Sequence, residues 1–325
     1  MTRTQLTVTA FLLARAISAA VQNAPQTPVP QTATTTTQIP FGTALKRTVG
    51  LLTVLFIKDG KPYQGRGTCF FISYPDDRLP KNLNFTYLVT NRHMAQPGVE
   101  DGHPYQTLRT TLRLNKKGAG GSDEKLLPLG SLTHWYFPAD ESVDLAVLPL
   151  GPDQSVYDYV EFPMSMLATK HELDAYAVGE GDRVMFTGLF YQVPGLTRFE
   201  PIVREGVLAM MPDEQLETTL HKRGNLYLAD VHVFEGNSGS PLLIDLAGSR
   251  NGSTTAGTHY ELLGIVSGFY HEDSDLTLTI ASTYTGTLEG NSGIAMVVPA
   301  DALKDLLDSP ELKAARDQAI AALRK

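Results

Sequence analysis

From Val49 onward the chain is a succession of short apolar or alternating runs, each closed by glycine, proline, asparagine or aspartate. Runs such as VGLLTVLFI, GTCFFISY, FTYLVT, DLAVLPL, NLYLADVHV, SPLLIDL, ELLGIVSGFY and GIAMVVPA have the length and residue types of strands. About a dozen such segments predict an all-β body. Helical spacing appears only at the end, where Leu303, Leu306 and Leu307 recur after Pro299 and a second pattern follows Pro310, so the C-terminal helix is expected over 300–325. The longest stretch without strand pattern, from about Gly151 to Gly181, divides the strands into two sets, about 43–150 and about 180–299. Two barrels or sandwiches joined by a crossing linker fit this division, since closing a sheet removes its edges.

Such a body needs a core, and 325 residues with 42 % hydrophobic content supply one. With 27 basic and 35 acidic residues the formal charge is -8, which repels phosphate backbones and argues against a nucleic-acid partner. None of the eight histidines falls in a metal-ligand spacing, and no metal or cofactor is implied. Cys69 is the single cysteine, so no intrachain disulfide forms, and its apolar run marks it as a buried, inert thiol.

The first residues place Arg3 before a short apolar stretch and then small residues around Ala19 and Ala20, the order of an export signal over 1–21. Arg15 leaves the apolar stretch too short and too charged for a membrane span. A secreted or periplasmic protein is expected, and a cytoplasmic one if the leader is not a signal. Residues 22–42 are rich in Thr, Pro and Gln, with too few bulky apolar side chains to offset their own ordering, and read as a flexible linker before a folded domain over 43–325.

Three stretches carry residues suited to nucleophilic catalysis. YLVTNRHMA places His93 just after a buried strand, SVDLAVLPL places Asp144 just before one, and EGNSGSP places Ser238 in a glycine-flanked turn. Alone, each has a bland reading as a surface histidine, a turn aspartate and a tight turn. Together they supply a hydroxyl nucleophile, a base to take its proton and a carboxylate to hold that base. The order His, Asp, Ser differs from that of the α/β-hydrolases and subtilisins, and a GxSxG elbow would need glycine where Ser240 stands.

On LVTNRH, DLAVL, GNSGSP and GIVSGF, in that order, the chain resembles the trypsin/chymotrypsin-like serine proteases of the disulfide-free bacterial sort, over roughly residues 45–308. The spacing is that of domains: 51 residues separate His93 from Asp144 and 94 separate Asp144 from Ser238. The resemblance implies two six-stranded antiparallel β-barrels with a C-terminal α-helix, and a serine endopeptidase acting on a protein or peptide through an acyl-enzyme. It implies that the amides of Gly236 and Ser238 form the oxyanion hole, where glycine tolerates the dihedrals required. It implies that Ser267 supports Asp144, and that Gly268 and Phe269 offer backbone groups to a substrate strand. His232 falls where the pocket floor lies and would favour acidic side chains there, although glutamyl endopeptidases place their histidine where Val266 stands. Asn237 replaces the aspartate that pairs with a freed N-terminus in animal trypsins, so activation by that route is not expected. Arg92 stands where better-known members carry a small residue, and either narrows the cleft or points outward. High-temperature-requirement proteases share the core and add a peptide-binding domain, which is not expected within these residues. A catalytically inactive trypsin-like scaffold that binds a protein or peptide in its former cleft is the alternative.

The motif EGNSG returns at 289–293, so Ser292 is a second candidate nucleophile. Ser238 is followed by 87 residues, including GIVSGF, whereas the 33 after Ser292 are spent on one strand and the terminal helix. Ser292 is therefore expected to be a turn residue.

Overall fold

The computed structural model describes residues 40–81, 83–118, 120–127, 134–279 and 283–323. The leader over 1–21 and most of the linker over 22–42 lie outside the described residues. No helix among the described residues is long and apolar enough to cross a membrane.

The first half holds strands β1 (Val49–Lys58), β2 (Lys61–Tyr74), β3 (Phe85–Thr90), β4 (Gln106–Asn115), β5 (Ser122–Leu127), β6 (Ala146–Pro149) and β7 (Phe162–Pro163). They form one seven-stranded sheet in the order β5-β4-β1-β2-β3-β6, with β7 pairing β2. Period-two alternation gives this sheet two buried faces. Phe70 and Ile72 of β2 face a cluster shared with the second half, whereas Cys69 and Phe71 face a separate cluster with Leu52, Val54 and Leu112. Cys69 is wholly buried, and burial raises its thiol pKa.

The second half holds β8 (Arg183–Gly188), β9 (Ile202–Met210), a small ladder of β10 (Leu216–Glu217) and β11 (Arg223–Gly224), β12 (Tyr227–Asp230), β13 (Pro241–Asp245), the short β14 (Gly248–Arg250) and β15 (Ser253–Thr255), β16 (Tyr260–Thr279) and β17 (Thr283–Pro299). Strands β12-β17-β16-β13-β8-β9 close into a barrel. Its interior is filled by Val184, Phe186, Leu208, Val231, Leu242, Leu263 and Val297, each contributing about 1.5–3 kcal/mol on full burial.

Among the described residues one closed six-stranded barrel is therefore present where two are expected. Both edge strands of the first sheet instead meet chain from outside the sheet. The amide of Ser122 on β5 donates to the Thr197 carbonyl at 2.8 Å, and at the other end Tyr136 bridges Val147 of β6. Each contact satisfies part of an edge's backbone groups without closing the sheet.

Among the described residues five α-helices accompany the strands: α1 (Phe41–Leu45), α2 (Arg92–Ala95), α3 (Lys170–Ala175), α4 (Ala300–Leu307) and α5 (Pro310–Leu323). The C-terminal helix expected over 300–325 is thus two, broken before Pro310, whose ring cannot continue a helix. Helix α4 buries Leu303, Leu306 and Leu307 on one stripe. Helix α5 buries Arg316, whose guanidinium lies 4.0 Å from the Tyr74 ring and donates to the Tyr87 hydroxyl (3.1 Å) and the Leu307 carbonyl (2.8 Å). A segment that leaves the barrel is thereby fastened to strands β2 and β3 of the other half.

Candidate active site

Strand β3 runs buried to Thr90 and then breaks into the single turn α2, which carries His93. Asp144 precedes β6 and is 1 % exposed. Pairing of β3 with β6 brings the two together: His93 Nδ1 lies 2.7 Å from Asp144 Oδ2, and the His93 amide donates to Asp144 Oδ1 at 3.0 Å. Asn91 Nδ2 donates to the Asp144 carbonyl at 2.8 Å. One carboxylate thus fixes both the ring and the backbone of the histidine, leaving Nε2 as the ring nitrogen free to act as a base.

Burial acts against charge on both groups, but the pair outweighs it. For His93, the Asp144 carboxylate and its hydrogen bond, with Glu100 adding a little, raise the pKa above 6.5 against the opposing effect of burial. For Asp144, burial pushes up, while the His93 charge, the hydrogen bonds from His93 and that from Thr219 bring the pKa below 3.8.

Ser238 sits in the turn between β12 and β13, partly buried. Gly236 and Gly239 in that turn have φ of +91° and +85°, a region that side chains disfavour. The amides alternate in their use. Asn237 N–H donates to the Phe234 carbonyl (2.9 Å) and Gly239 N–H to the Val266 carbonyl (2.9 Å), whereas those of Gly236 and Ser238 have no partner among the described residues. The two amides expected to hold an oxyanion are the two left open.

The turn is docked against the histidine-bearing half. Thr68 N–H on β2 donates to the Ser238 carbonyl at 2.8 Å, and the Thr68 carbonyl accepts from Thr90, three residues before His93, at 2.9 Å. The Ser238 hydroxyl donates to the Ser267 carbonyl at 3.3 Å, with no hydrogen bond to His93. The histidine and aspartate are therefore joined, and the serine lies on a turn braced to the strand that leads to them.

Of the residues expected to bind substrate, Gly268 and Phe269 lie where the β13 ladder has stopped, its last bonds joining Val266 to Ser240 and Gly239. That edge of β16 has no partner strand among the described residues. Ser267 does not support Asp144: its hydroxyl donates to the Met296 carbonyl at 3.3 Å. Thr219, in the loop between β10 and β11, takes that place by donating to Asp144 Oδ2 at 2.6 Å. Sequence reasoning missed it, because a threonine in a polar loop carries no signal until the fold brings it across. His232 is exposed beside Phe234 and does not line the neighbouring cavity, whose walls include Tyr191, Phe234, Glu235, Phe269 and His271. That cavity is about 270 Å³ and borders Gly236 through Glu235. Arg92 stacks on the Phe137 ring at 5.0 Å.

Ser292 lies on a strand and not in a turn. Its hydroxyl donates to the Tyr270 carbonyl at 2.7 Å and accepts from the Ile294 amide at 3.2 Å. Residues 292–294 bulge from β17 between the pairs His271–Asn291 and Phe269–Ala295, with Gly293 at φ +82°. The second EGNSG is thus an irregularity in a ladder, its hydroxyl already used.

No family model matches the chain, and no curated protein matches it. Among solved structures it is similar to the HtrA-type protease AlgW with tripeptide, at 14 % identity and a TM-score of 0.45, over 82 % of this chain and 62 % of that one. It is similar to Deg5 at 16 % identity and a TM-score of 0.43, over 80 % and 87 % of the respective chains. It is also similar to AlgW with decapeptide, at 16 % identity and a TM-score of 0.45, over 82 % and 65 %. The chain spans less than two thirds of the length of either AlgW chain.

Proposed function

We propose that the protein is a serine endopeptidase in which Ser238 attacks the substrate carbonyl, His93 takes and returns the proton, and Asp144 holds His93. The observation that carries the reading is a carboxylate-bound imidazole together with a serine turn, bonded through Thr68 to Thr90 of the strand that leads to that imidazole, whose Gly236 and Ser238 amides have no partner among the described residues. Unpaired amides at a turn cost free energy and serve an anion that appears only in the transition state.

A substrate strand adds to the open edge of β16 at Gly268 and Phe269. Its amide competes with the Ser238 hydroxyl for the Ser267 carbonyl, so substrate binding frees the hydroxyl to turn towards Nε2 of His93. Serine is a poor nucleophile until that base takes its proton. The Ser238 oxygen then bonds to the carbonyl carbon, the carbonyl oxygen becomes an oxyanion held by the two amides, and the imidazolium is stabilised by Asp144. Return of the proton to the leaving amine releases one product and leaves an acyl-enzyme. Water, deprotonated by His93, hydrolyses it and restores Ser238.

The cavity beside Gly236 takes the side chain before the scissile bond. Its walls join the aromatic rings of Tyr191, Phe234 and Phe269 to the polar side chains of Gln192, His271 and Asn291, with no buried carboxylate to hold a basic side chain, which fits a large uncharged residue. A secreted or periplasmic location fits the leader.

Fluorophosphonate labelling of the purified protein tests the reading. Labelling of the wild type and of Ser292→Ala, lost in Ser238→Ala, is the expected result. A wild type that binds peptide but neither labels nor cleaves it would instead be a peptide-binding scaffold.

A further inference from the structure

We infer that Thr68 is a positioning residue for the oxyanion cradle, its hydroxyl fixing the Gly236 peptide from the opposite half of the molecule. This deepens the protease reading and rests on it. Thr68 is wholly buried on β2, and its hydroxyl accepts from the Leu189 amide at 2.9 Å while donating to the Gly236 carbonyl at 2.8 Å. Its own amide donates to the Ser238 carbonyl at 2.8 Å. One residue therefore holds the carbonyls of both residues whose amides face the oxyanion.

Gly236 needs such a restraint. At φ +91° it has no Cβ to limit the orientations of the peptides on either side, so nothing local keeps its amide pointing one way. Asn237 supplies the other half of the brace. Its Oδ1 accepts from the Phe234 amide at 2.8 Å, and its Nδ2 donates to the Leu189 carbonyl at 2.6 Å. Leu189 is thus gripped at its amide by Thr68 and at its carbonyl by Asn237, closing a loop of neutral hydrogen bonds around Gly236. A charged link is replaced by amide and hydroxyl groups, so the cradle is assembled by contact between the halves, without a newly freed N-terminus.

The test uses Thr68→Val, which keeps the shape and removes the hydroxyl, and Thr68→Ser, which restores it. Thr68→Val is expected to lose about 10²-fold in kcat with KM and the pH midpoint of activity unchanged, because neither substrate pairing nor His93 is touched. Thr68→Ser should return to within about threefold of the wild type. A crystal structure of Thr68→Val should show the Gly236–Asn237 peptide, whose carbonyl has lost its donor, turned away from its wild-type orientation and the Gly236 amide displaced with it. A merely structural role predicts a lower melting temperature with kcat per folded molecule unchanged, and that result, or an unmoved Gly236 peptide, overturns the inference. If Thr68→Val does not fold, Thr68→Cys, with a weaker donor of similar size, should lose kcat by an intermediate factor, and a wild-type rate there overturns it equally. If the wild type neither labels nor cleaves, the protease reading fails, while the orientation of the Gly236 peptide in Thr68→Val still decides what Thr68 positions.

Discussion

Thr219 donates its hydroxyl to the same oxygen of Asp144 that holds the ring of His93, at 2.6 Å and 2.7 Å respectively. A hydrogen bond to a buried carboxylate contributes about 1.5–3 kcal/mol. Thr219→Val removes it at nearly constant volume. The expected loss is about tenfold or more in kcat/KM. Steady-state kinetics on Thr219→Val and on Ser267→Ala separates the two candidate supports: a large loss in Ser267→Ala with none in Thr219→Val would overturn the assignment to Thr219 and give the role to Ser267.

The pH dependence follows from the same pair. With its pKa raised above 6.5, His93 stays protonated to higher pH than a free imidazole, so the rising limb of kcat/KM is centred above pH 6.5. In Asp144→Asn the main raising partner is gone and burial, the strongest influence on His93, is opposed only by Glu100. The residual activity, down by about 10⁴-fold, should have its limb below pH 6.5. Linkage gives the matching signs for stability. The raised His93 pKa contributes stability that is present below pH 6.5 and lost as pH rises through the folded value. The lowered Asp144 pKa contributes stability present above pH 3.8 and lost as pH falls through its folded value. Rate profiles from pH 5 to 9.5 and melting curves across that range and below it read both effects; a wild-type limb below pH 6.5 contradicts the pairing.

The cavity bounded by Tyr191, Phe234, Phe269 and His271 sets the expectation for specificity. Peptides with Phe, Tyr or Leu before the scissile bond should be cleaved at least about tenfold faster than those with Lys or Glu there, since one well-filled apolar pocket is worth about 1–3 kcal/mol. A matched peptide series measures it. Preference for lysine would instead make Glu235 at the rim the selecting group.

The buried guanidinium of Arg316 joins the last helix to Tyr74 and Tyr87 of the first sheet. Arg316→Ala leaves the Tyr87 hydroxyl and Leu307 carbonyl without this donor and opens a cavity, at a cost of about 2–4 kcal/mol. Chemical denaturation should show that loss, with kcat per folded molecule retained. A change within about 0.5 kcal/mol would show that helix α5 contributes little to the junction.

The mostly-β character was legible because it rests on local pattern, and so were the positions of His93 after a strand ending at Thr90 and of Asp144 before a strand beginning at Ala146, whereas their pairing was legible only from the combination of stretches. The seven-stranded sheet was not legible, because the pairing of its edge strands rests on contacts distant in sequence, such as that of Ser122 with the Thr197 carbonyl. Thr68 and Thr219 were invisible for the same reason, being ordinary threonines until contacts between distant segments bring their hydroxyls to Gly236 and Asp144. The break at Pro310 was written in the residue itself, whereas the exposure of His232 was not, because a side chain's distance from the nucleophile in sequence does not fix which side of the turn it faces.

The repeated EGNSG offers a comparison within one chain. Ser238 carries a hydroxyl on a single long bond of 3.3 Å, whereas Ser292 holds two partners, Tyr270 and Ile294. Ser292→Ala should therefore lower stability by about 1 kcal/mol, as expected for lost intramolecular hydrogen bonds, and leave fluorophosphonate labelling intact. Ser238→Ala should abolish labelling and leave the melting temperature within about 2 °C of the wild type, because its one weak bond contributes little. The two glycines add a second contrast. Gly239→Ala forces a Cβ at φ +85° against the Thr68 carbonyl, whereas Gly293→Ala, at φ +82°, meets only the edge of the His232 ring at 3.6 Å. Backbone strain is common to both, so the excess destabilisation of Gly239→Ala over Gly293→Ala, measured by denaturant unfolding, isolates the close packing of the nucleophile turn on β2. Equal losses would mean that the turn has room to move away from Thr68.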